Sequence, residues 1–277
     1  MFAELARVLT CPVCGDELRL DQRTLRCAAG HGFDLARQGY ANLLAGSTPP
    51  GTADTVAMVQ ARADFLAADH YAPLAQRIAQ LAAASVRPGL VLDAGAGTGY
   101  YLKRVLDALP GASGLALDIS KFALRRAARC HARAAAVVWD LWRPLPVKSA
   151  SASLILNVFA PRNGAEFRRV LQDDGALLVV TPTPQHLAEL VDAFGMITVD
   201  TRKEERLDET LAGHFELAGR EQLEVPLRLT RLESQTLVHM GPSAHHLSAQ
   251  ALQERAERLN EPVHVTAAFT LSLYRAL

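Results

Sequence analysis

The stretch LVLDAGAGTGYYL, residues 90–102, joins an apolar run to a helical pattern through three closely spaced glycines. The run ends at Asp93, and a helix is predicted from Tyr100. The glycines between them are Gly95, Gly97 and Gly99. Glycines let the backbone approach a ligand closely, and the first turn of a helix presents unpaired N–H groups. The spacing is not the GxGxxG of dinucleotide-binding folds, and the chain has no GxxxxGK[ST] phosphate loop.

Short apolar runs alternate with helical patterns on both sides of this loop. Strands are predicted over 90–95, 114–120, 135–140, 152–159, 175–183 and 263–277, and helices over 56–68, 71–85, 100–109, 121–132 and 164–171. The alternation predicts an α/β fold with a parallel, doubly wound, Rossmann-like sheet. The pattern of residues 196–262 does not predict individual elements.

Acidic residues follow the second and third predicted strands. The DxGxGxG form of the loop resembles motif I of class I S-adenosylmethionine-dependent methyltransferases. In that fold Asp118, at the end of the second strand, can accept hydrogen bonds from both ribose hydroxyls. Asp140, at the end of the third strand, lies where the adenine amino group is bound. The alternative is a Gly-rich turn without a ligand, with both carboxylates serving other roles.

A cysteine cluster stands near the start of the chain, in CPVCGDELRLDQRTLRCAAGH, residues 11–31. Cys11, Cys14, Cys27 and His31 form a CxxC knuckle followed by a second Cys/His pair, a spacing typical of tetrahedral zinc sites. Four protein ligands leave no open coordination position, so we expect structural zinc. The alternatives are a disulfide or unlinked buried thiols. Cys130, on a predicted helix, is interpreted as a packing residue.

Composition divides the chain into three parts and excludes several classes of protein. Residues 1–45 form the zinc-binding module, 46–54 a Gly/Ser/Thr/Pro linker, and 55–277 the methyltransferase domain. The 29 basic and 29 acidic residues balance, so the net charge gives no global attraction to a polyanion. We find no apolar run long enough to span a membrane and no secretory signal, so we expect a cytoplasmic protein.

Taken together, these segments resemble the RlmA family of bacterial 23S rRNA (guanine-N1)-methyltransferases. The resemblance covers nearly the whole chain and is carried by CPVC…C…GH, FDLARQGYANLL (33–44), MVQARADFL…HYAPL (58–74), LDAGAGTGYYL (91–102) and TPTPQHLAEL (181–190). NVFAPRN (157–163) favours the actinobacterial, TlrB-like branch associated with tylosin resistance. The resemblance implies methyl transfer from S-adenosylmethionine to N1 of a guanine in a hairpin loop of 23S rRNA domain II, at the peptide exit tunnel.

The family's functional residues map onto positions of this chain. The resemblance implies zinc ligands at the four Cys/His positions above, and cofactor contacts at Tyr71, Gly97, Thr98 and His186. Some relatives carry an acidic residue in place of Thr98, which leaves a backbone contact intact. The family also suggests a homodimer, and macrolide resistance as a role. From its own surroundings in the sequence, His186 could equally be a core or surface histidine.

Two other functions fit parts of the sequence. The first is a methyltransferase of a small molecule or protein, with the zinc module as a docking surface. The second is a non-enzymatic zinc-ribbon RNA-binding protein whose glycine loop has lost its cofactor. The intact acidic and glycine residues of the loop disfavour the second. Basic residues that could contact RNA cluster at Lys121, Arg125, Arg126, Arg129 and Arg133, extended by Arg143, Arg162, Arg168 and Arg169, although a solvated helix face explains them equally well.

Overall fold

The computed structural model describes residues 2–44, 54–196, 198, 200 and 202–277. Residues 46–53 of the predicted linker lie outside the described residues. The strands are β1 Arg19–Asp21, β2 Thr24–Arg26, β3 Gly32–Asp34, β4 Tyr40–Asn42, β5 Leu90–Ala94, β6 Ser113–Asp118, β7 Ala134–Val138, β8 Ala152–Val158, β9 Leu171–Pro182, β10 Phe215–Leu229 and β11 Val263–Ala276.

Helices cover both faces of the larger sheet that these strands form. They are α1 Phe2–Leu5, α2 Val56–Ala67, α3 Ala72–Ser85, α4 Tyr100–Ala108, α5 Lys121–Ala127, α6 Gly164–Val170, α7 Ala188–Phe194, α8 Lys203–Leu211, α9 Arg231–His239 and α10 Ala249–Glu257, with short 3-10 turns at Ala6–Val8 and Pro242–His245. None of the helices within the described residues is long and apolar enough to cross a membrane.

Within the part of the chain that the structure describes, the larger sheet has eight strands in the order β10-β11-β9-β8-β5-β6-β7-β4. Strand β11 runs antiparallel to both of its neighbours, and the other pairings are parallel. The predicted α/β, doubly wound fold is therefore confirmed, with one antiparallel strand added. The chain order reverses between β5 and β8, and ligands in such sheets bind at the carboxyl ends of the strands beside that reversal.

The two strands at the reversal are buried along their whole length. Parallel strands covered by helices on both faces are continuous apolar runs, which explains why LVLDA and ASLILNV contain so few polar residues. Asp93 on β5 and Asn157 on β8 are exceptions, and both are almost completely buried. Polar groups buried in this position call for a partner.

The zinc module packs against the larger sheet. Its strands β1, β2 and β3 form a small antiparallel sheet, and β4 pairs in parallel with the edge strand β7. A bridge joins Leu9 to Val147, and Lys148 lies 3.0 Å from Glu17. Leu9 and Leu25 are fully buried, so the module shares a core with the rest of the chain. The division of the chain at residue 45 stays a prediction.

Several element boundaries differ from the sequence prediction. Helix α5 ends at Ala127, so Cys130 lies beyond it rather than on it. Strand β7 ends at Val138, which places Asp140 in the following loop. The segment without predicted elements contains the long strand β10, whose alternating charged residues and Pro226 suit an edge position where one side of the backbone lacks a ladder partner.

Candidate functional site

A cavity of about 930 Å³ opens at the carboxyl ends of the strands beside the reversal. Ligand sites in proteins typically have volumes of roughly 300–1,000 Å³. Eight of the nine predicted cofactor residues line this cavity: Tyr71, Asp93, Gly95, Gly97, Thr98, Asp118, Asp140 and His186. The ninth, Gly99, lies at the end of the glycine loop, where it precedes the first turn of α4.

The glycine loop follows β5 and is tied to the neighbouring strand. The backbone N–H groups of Gly95 and Ala96 both donate to the Leu117 carbonyl, at 2.8 and 3.0 Å. Gly95 and Gly99 have φ values of +89° and +78°, which L side chains rarely adopt. A Cβ on Gly99 would lie 2.8 Å from Cys130 Sγ. Cys130 therefore packs beneath the loop, as predicted for a packing residue.

Two carboxyl groups, the buried Asp93 and the half-buried Asp118, face the loop. The Asp118 carboxylate accepts hydrogen bonds from the Gly97 and Ser120 backbone N–H groups, both at 2.8 Å. Burial raises the pKa of Asp118, and these two donors oppose the rise. Asp93 is 2% exposed, and burial together with the Asp118 charge raises its pKa to about 8. Among the described residues, Asp93 has no side-chain hydrogen bond, so its carboxyl is available to a ligand.

The loop after β7 forms another wall of the cavity. Asp140 accepts a hydrogen bond from the Trp142 backbone N–H at 3.0 Å, which fixes its carboxylate. The Trp142 side chain is 68% exposed although it lines the cavity. A carboxylate beside an exposed indole ring presents both an acceptor and a flat apolar surface to a base.

Tyr71 and His186 come together around Phe269. The ring centroids of Tyr71 and Phe269 lie 5.3 Å apart, and those of His186 and Phe269 4.8 Å apart. His186 Nδ1 accepts a hydrogen bond from the Ala268 backbone N–H at 3.1 Å. Neutral His186 must therefore carry its proton on Nε2, where it is a donor. Burial raises the pKa of Tyr71, so its hydroxyl stays protonated.

The segment after β8 supplies further cavity residues, Phe159 and Arg162 among them, and of these two only Arg162 was suggested from the sequence, as an RNA contact. Phe159 and Arg162 line the cavity, and the buried Asn157 side chain anchors their loop. Arg62, from α2, also lines it, hydrogen-bonded to Asp54 and to the Met240 carbonyl. A polar residue inside the apolar run ASLILNV was the signal that could have identified Asn157. The Arg62 position follows from the packing of α2, which no local pattern encodes.

The four predicted metal ligands meet at one point of the zinc module. Their ligand atoms all lie within 4.8 Å of one another, with Cys14 and Cys27 Sγ 3.7 Å apart and Cys27 Sγ 3.3 Å from His31 Nδ1. Two thiolates bound tetrahedrally at about 2.3 Å from zinc are roughly 3.8 Å apart. The cysteines are free thiols, and the disulfide alternative is therefore wrong for this structure. The three thiols and one imidazole suit structural zinc.

Part of the predicted basic patch serves the fold instead. Arg133 donates to the carbonyls of Leu106, Leu109 and Ala112 at the end of α4. Arg169 donates to the carbonyls of Leu145 and Val147 and pairs with Glu166. These guanidinium groups are bound to the protein, so they are poor candidates for phosphate contacts.

Comparison with known proteins places the two parts of the chain in one family. The zinc-ribbon family model described as RlmA, N-terminal, matches residues 9–46. A candidate 23S rRNA (guanine-N1)-methyltransferase from Micromonospora griseorubida is 52% identical, and both chains are covered completely. The 23S rRNA (guanine(748)-N(1))-methyltransferase of Streptomyces fradiae is 49% identical, again with complete coverage of both.

Solved structures share the fold of the larger part. A candidate methyltransferase from Bacillus halodurans has a TM-score of 0.50 and 14% identity, covering 72% of this chain and 97% of its own. The structure of a complex between the Trm112 activator from Haloferax volcanii and a candidate methyltransferase has a TM-score of 0.51 and 17% identity. The match covers 80% of this chain and 98% of the other. The fold is thus that of methyltransferases, and the two full-length relatives specify the family within that fold. The chain belongs to the RlmA family of 23S rRNA (guanine-N1)-methyltransferases.

Proposed function

We propose that this protein transfers a methyl group from S-adenosylmethionine to N1 of a guanine in 23S rRNA. The observation that carries the proposal is the cavity, which brings the glycine loop together with Asp93 and Asp118. The chain that forms it is 49% identical, end to end, to the Streptomyces fradiae enzyme named for that reaction.

The cavity residues fit the chemical groups of the cofactor. The open backbone at Gly97 admits close approach, Thr98 lines the cavity beside it, and we propose that the Asp118 carboxylate accepts hydrogen bonds from the ribose hydroxyls. Asp140 and Trp142 offer an acceptor and a flat surface for adenine. Asp93 offers a negative charge for the ammonium group of the methionine moiety. Tyr71 and His186, both hydrogen-bond donors, also line the cavity.

Orientation is the main contribution of these residues to the reaction. Bound S-adenosylmethionine supplies an activated methyl group on a sulfonium. Holding two reactants in line contributes on the order of 7–11 kcal/mol to lowering a barrier. Because Nδ1 of His186 accepts from Ala268, neutral His186 acts as a donor at Nε2 and not as the acceptor of the guanine N1 proton. The residues therefore bind and align, and no covalent intermediate with the protein is required.

The zinc module is proposed to take part in RNA recognition. Residues of the described 2–44 segment do not line the cavity, so the module serves something other than cofactor binding. The proposed target is the 23S rRNA guanine at the position numbered 748 in the name of the Streptomyces fradiae enzyme. We propose that this guanine lies in a hairpin loop of domain II at the peptide exit tunnel. We extend the proposal to a cytoplasmic homodimer that contributes to tylosin-type macrolide resistance.

Methyl transfer to purified RNA tests the proposal. The full-length protein is incubated with labelled S-adenosylmethionine and unmethylated 23S rRNA, and reverse-transcriptase stops are mapped. We expect label in the RNA and one new stop, because a methyl group on N1 blocks base pairing. Gly97→Arg is the negative control, since its side chain would start 3.8 Å from Arg62 and fill the cavity. Cofactor binding without label in 23S rRNA would contradict the proposal and favour another substrate.

A further inference from the structure

Arg162 is a cavity cation without a protein partner among the described residues. Its side chain makes no hydrogen bond or ion pair with them, and its Nε is buried without an acceptor. Of the described residues that line the cavity, the two other arginines are paired, Arg62 with Asp54 and Arg206 with Asp200. A guanidinium has five N–H donors and no acceptor, and leaving a buried donor unpaired is costly. The missing acceptor is therefore expected from a ligand.

The loop that carries Arg162 is held rigidly beside the glycine loop. Asn157 Nδ2 donates to the Ala94 carbonyl at 3.1 Å and to the Pro161 carbonyl at 2.9 Å. This side chain thereby joins the end of β5 to the residue before Arg162. Ala160 contacts the glycine loop at Gly95. A cation on so fixed a loop is positioned before any ligand arrives, as recognition of a small polar group requires.

Phe159 adds a flat surface to the same loop. Its φ of +55° is unusual for a bulky residue, and its side chain is 43% exposed while it lines the cavity. Strained backbone persists where the surrounding structure enforces it, often at ligand sites. An exposed aromatic ring is a stacking surface for a base that has left its own stack. The ring and the cation lie three residues apart on one loop.

We infer that Arg162 recognises O6 of the target guanine and that Phe159 stacks against its ring. The inference rests on the proposed function and adds the residues that select the base. Guanine has a carbonyl acceptor at position 6, whereas adenine has an amino donor there, which would oppose the donors of Arg162. The contact leaves the neighbouring N1 open to the cofactor.

The same contact assists the transfer. The N1–H bond breaks, its proton passes to water, and the electron pair on N1 forms the bond to the methyl carbon. The carbon–sulfur bond breaks with its pair left on sulfur, which becomes a neutral thioether. As N1 loses its proton, negative charge spreads to O6. The hydrogen bond from a guanidinium to O6 becomes stronger at that moment, because its acceptor carries more charge. Arg162 therefore acts on turnover more than on cofactor binding.

Variants of Arg162 test this role in the full-length protein. Arg162→Gln removes the charge, Arg162→Lys keeps it without the planar fork, and Arg206→Gln removes a cavity arginine that already has a partner. We expect Arg162→Gln to lower kcat by about 10²–10³-fold, the usual loss of one oxyanion donor. Its Kd for S-adenosylmethionine should stay within about twofold of the wild type, and Arg162→Lys should recover part of kcat. Arg206→Gln should lower kcat far less.

The outcomes separate this inference from the proposed function. If the wild type methylates no guanine in 23S rRNA, both the proposed function and the inference about Arg162 are contradicted. Wild-type methylation with Arg162→Gln retaining kcat within about threefold would overturn the inference alone. A joint loss of cofactor affinity would overturn it too, since Arg162 would then hold the cofactor. A rise in the KM for RNA with kcat unchanged would assign Arg162 to a phosphate instead. Thermal unfolding of each variant excludes misfolding as the cause.

Discussion

Gly95 lies so close to Ala160 that a Cβ on Gly95 would come within 2.2 Å of the Ala160 Cβ. The two residues follow adjacent parallel strands, β5 and β8, and their contact joins the loop proposed for the cofactor to the loop proposed for the guanine. The site is therefore assembled from two backbone segments in direct contact. A change at either segment should affect the other.

Gly95→Ala is expected to weaken cofactor binding at least about tenfold. The new methyl group would meet Ala160, and the φ of +89° would be strained in any L residue. Isothermal titration with S-adenosylmethionine measures the affinity. Gly213→Ala is the matched control, because Gly213 also has a positive φ, of +77°, but a Cβ on it would meet no atom within 4 Å. Equal affinity losses in both variants would show that backbone strain alone, and not the contact with Ala160, matters.

Asp93→Asn is expected to stabilise the protein, and more so at higher pH. The pKa of Asp93 in the folded state, about 8, lies above the unfolded value near 3.9. The native state therefore binds the extra proton, and wild-type stability falls relative to the variant as pH rises from about 4 to 8, then levels off. Thermal unfolding of both proteins at pH 5 and pH 8.5 measures this. A difference in Tm independent of pH would contradict the buried-carboxyl account.

Ionisation of Asp93 should also affect cofactor affinity: as pH rises, the affinity should increase while the stability of the free protein decreases. A cationic ligand favours ionised Asp93, so the wild-type Kd for S-adenosylmethionine should fall as pH rises toward 8, with release of a proton on binding. The Asp93→Asn variant should bind more weakly, with little pH dependence over that range. Titrations in buffers of different ionisation enthalpy detect the released proton. Parallel pH profiles in both proteins would place the titrating group elsewhere.

Cys27→Ser should remove zinc and reduce RNA methylation more than it reduces cofactor affinity. The residue supplies one of four converging ligands, and loss of a ligand removes much of the folding energy of a small metal module. Metal analysis should give about one zinc per wild-type chain and far less in the variant. Cys130→Ser is the control for metal content, because its thiol lies outside the cluster. A full complement of zinc in Cys27→Ser would refute the tetrahedral site.

Asn157→Leu should reduce turnover more than it reduces cofactor affinity. It removes the donor to the Ala94 and Pro161 carbonyls, and leaving the buried Ala94 acceptor unpaired costs about 1–3 kcal/mol. Ser153→Ala is the matched variant, since Ser153 is also buried on β8 but donates to Leu90 at the far end of the strand. Both should lower Tm, and only Asn157→Leu should lower kcat. Equal turnover in the two would mean that Asn157 merely supports the sheet.

The sequence predicts the parallel part of the fold well because its strands are buried on both faces. LVLDA and ASLILNV are almost continuously apolar, and their ends coincide with a glycine loop or a turn. Strand β10 lies at the sheet edge, where many of its residues face solvent. Because several of these positions are charged, the sequence does not show the apolar run that would predict a strand. Its position beside β11 depends on long-range pairing that no local pattern contains.

The sequence predicts those site residues whose type is required by their chemistry, such as metal ligands and loop glycines. The spacing of three cysteines and a histidine, and of the glycines after β5, leaves few alternatives, and the structure brings each set together. Arg162 is different: its charge suggested an RNA contact, but nothing in NVFAPRN (157–163) indicates that its Nε is buried without an acceptor. Arg133 shows the converse: its charge suggested an RNA contact, and the structure uses it to bind the end of α4.

The most direct measurement is the modification state of 23S rRNA in cells that express this protein. RNA is isolated from a host that lacks the endogenous methyl group and expresses the wild type, Gly97→Arg or neither protein. One portion of each RNA is digested to nucleosides for analysis, and another is mapped intact by primer extension. The account predicts 1-methylguanosine and a single stop, at the guanine corresponding to position 748, with the wild type alone. An active, cofactor-binding protein that leaves this guanine unmethylated would contradict it.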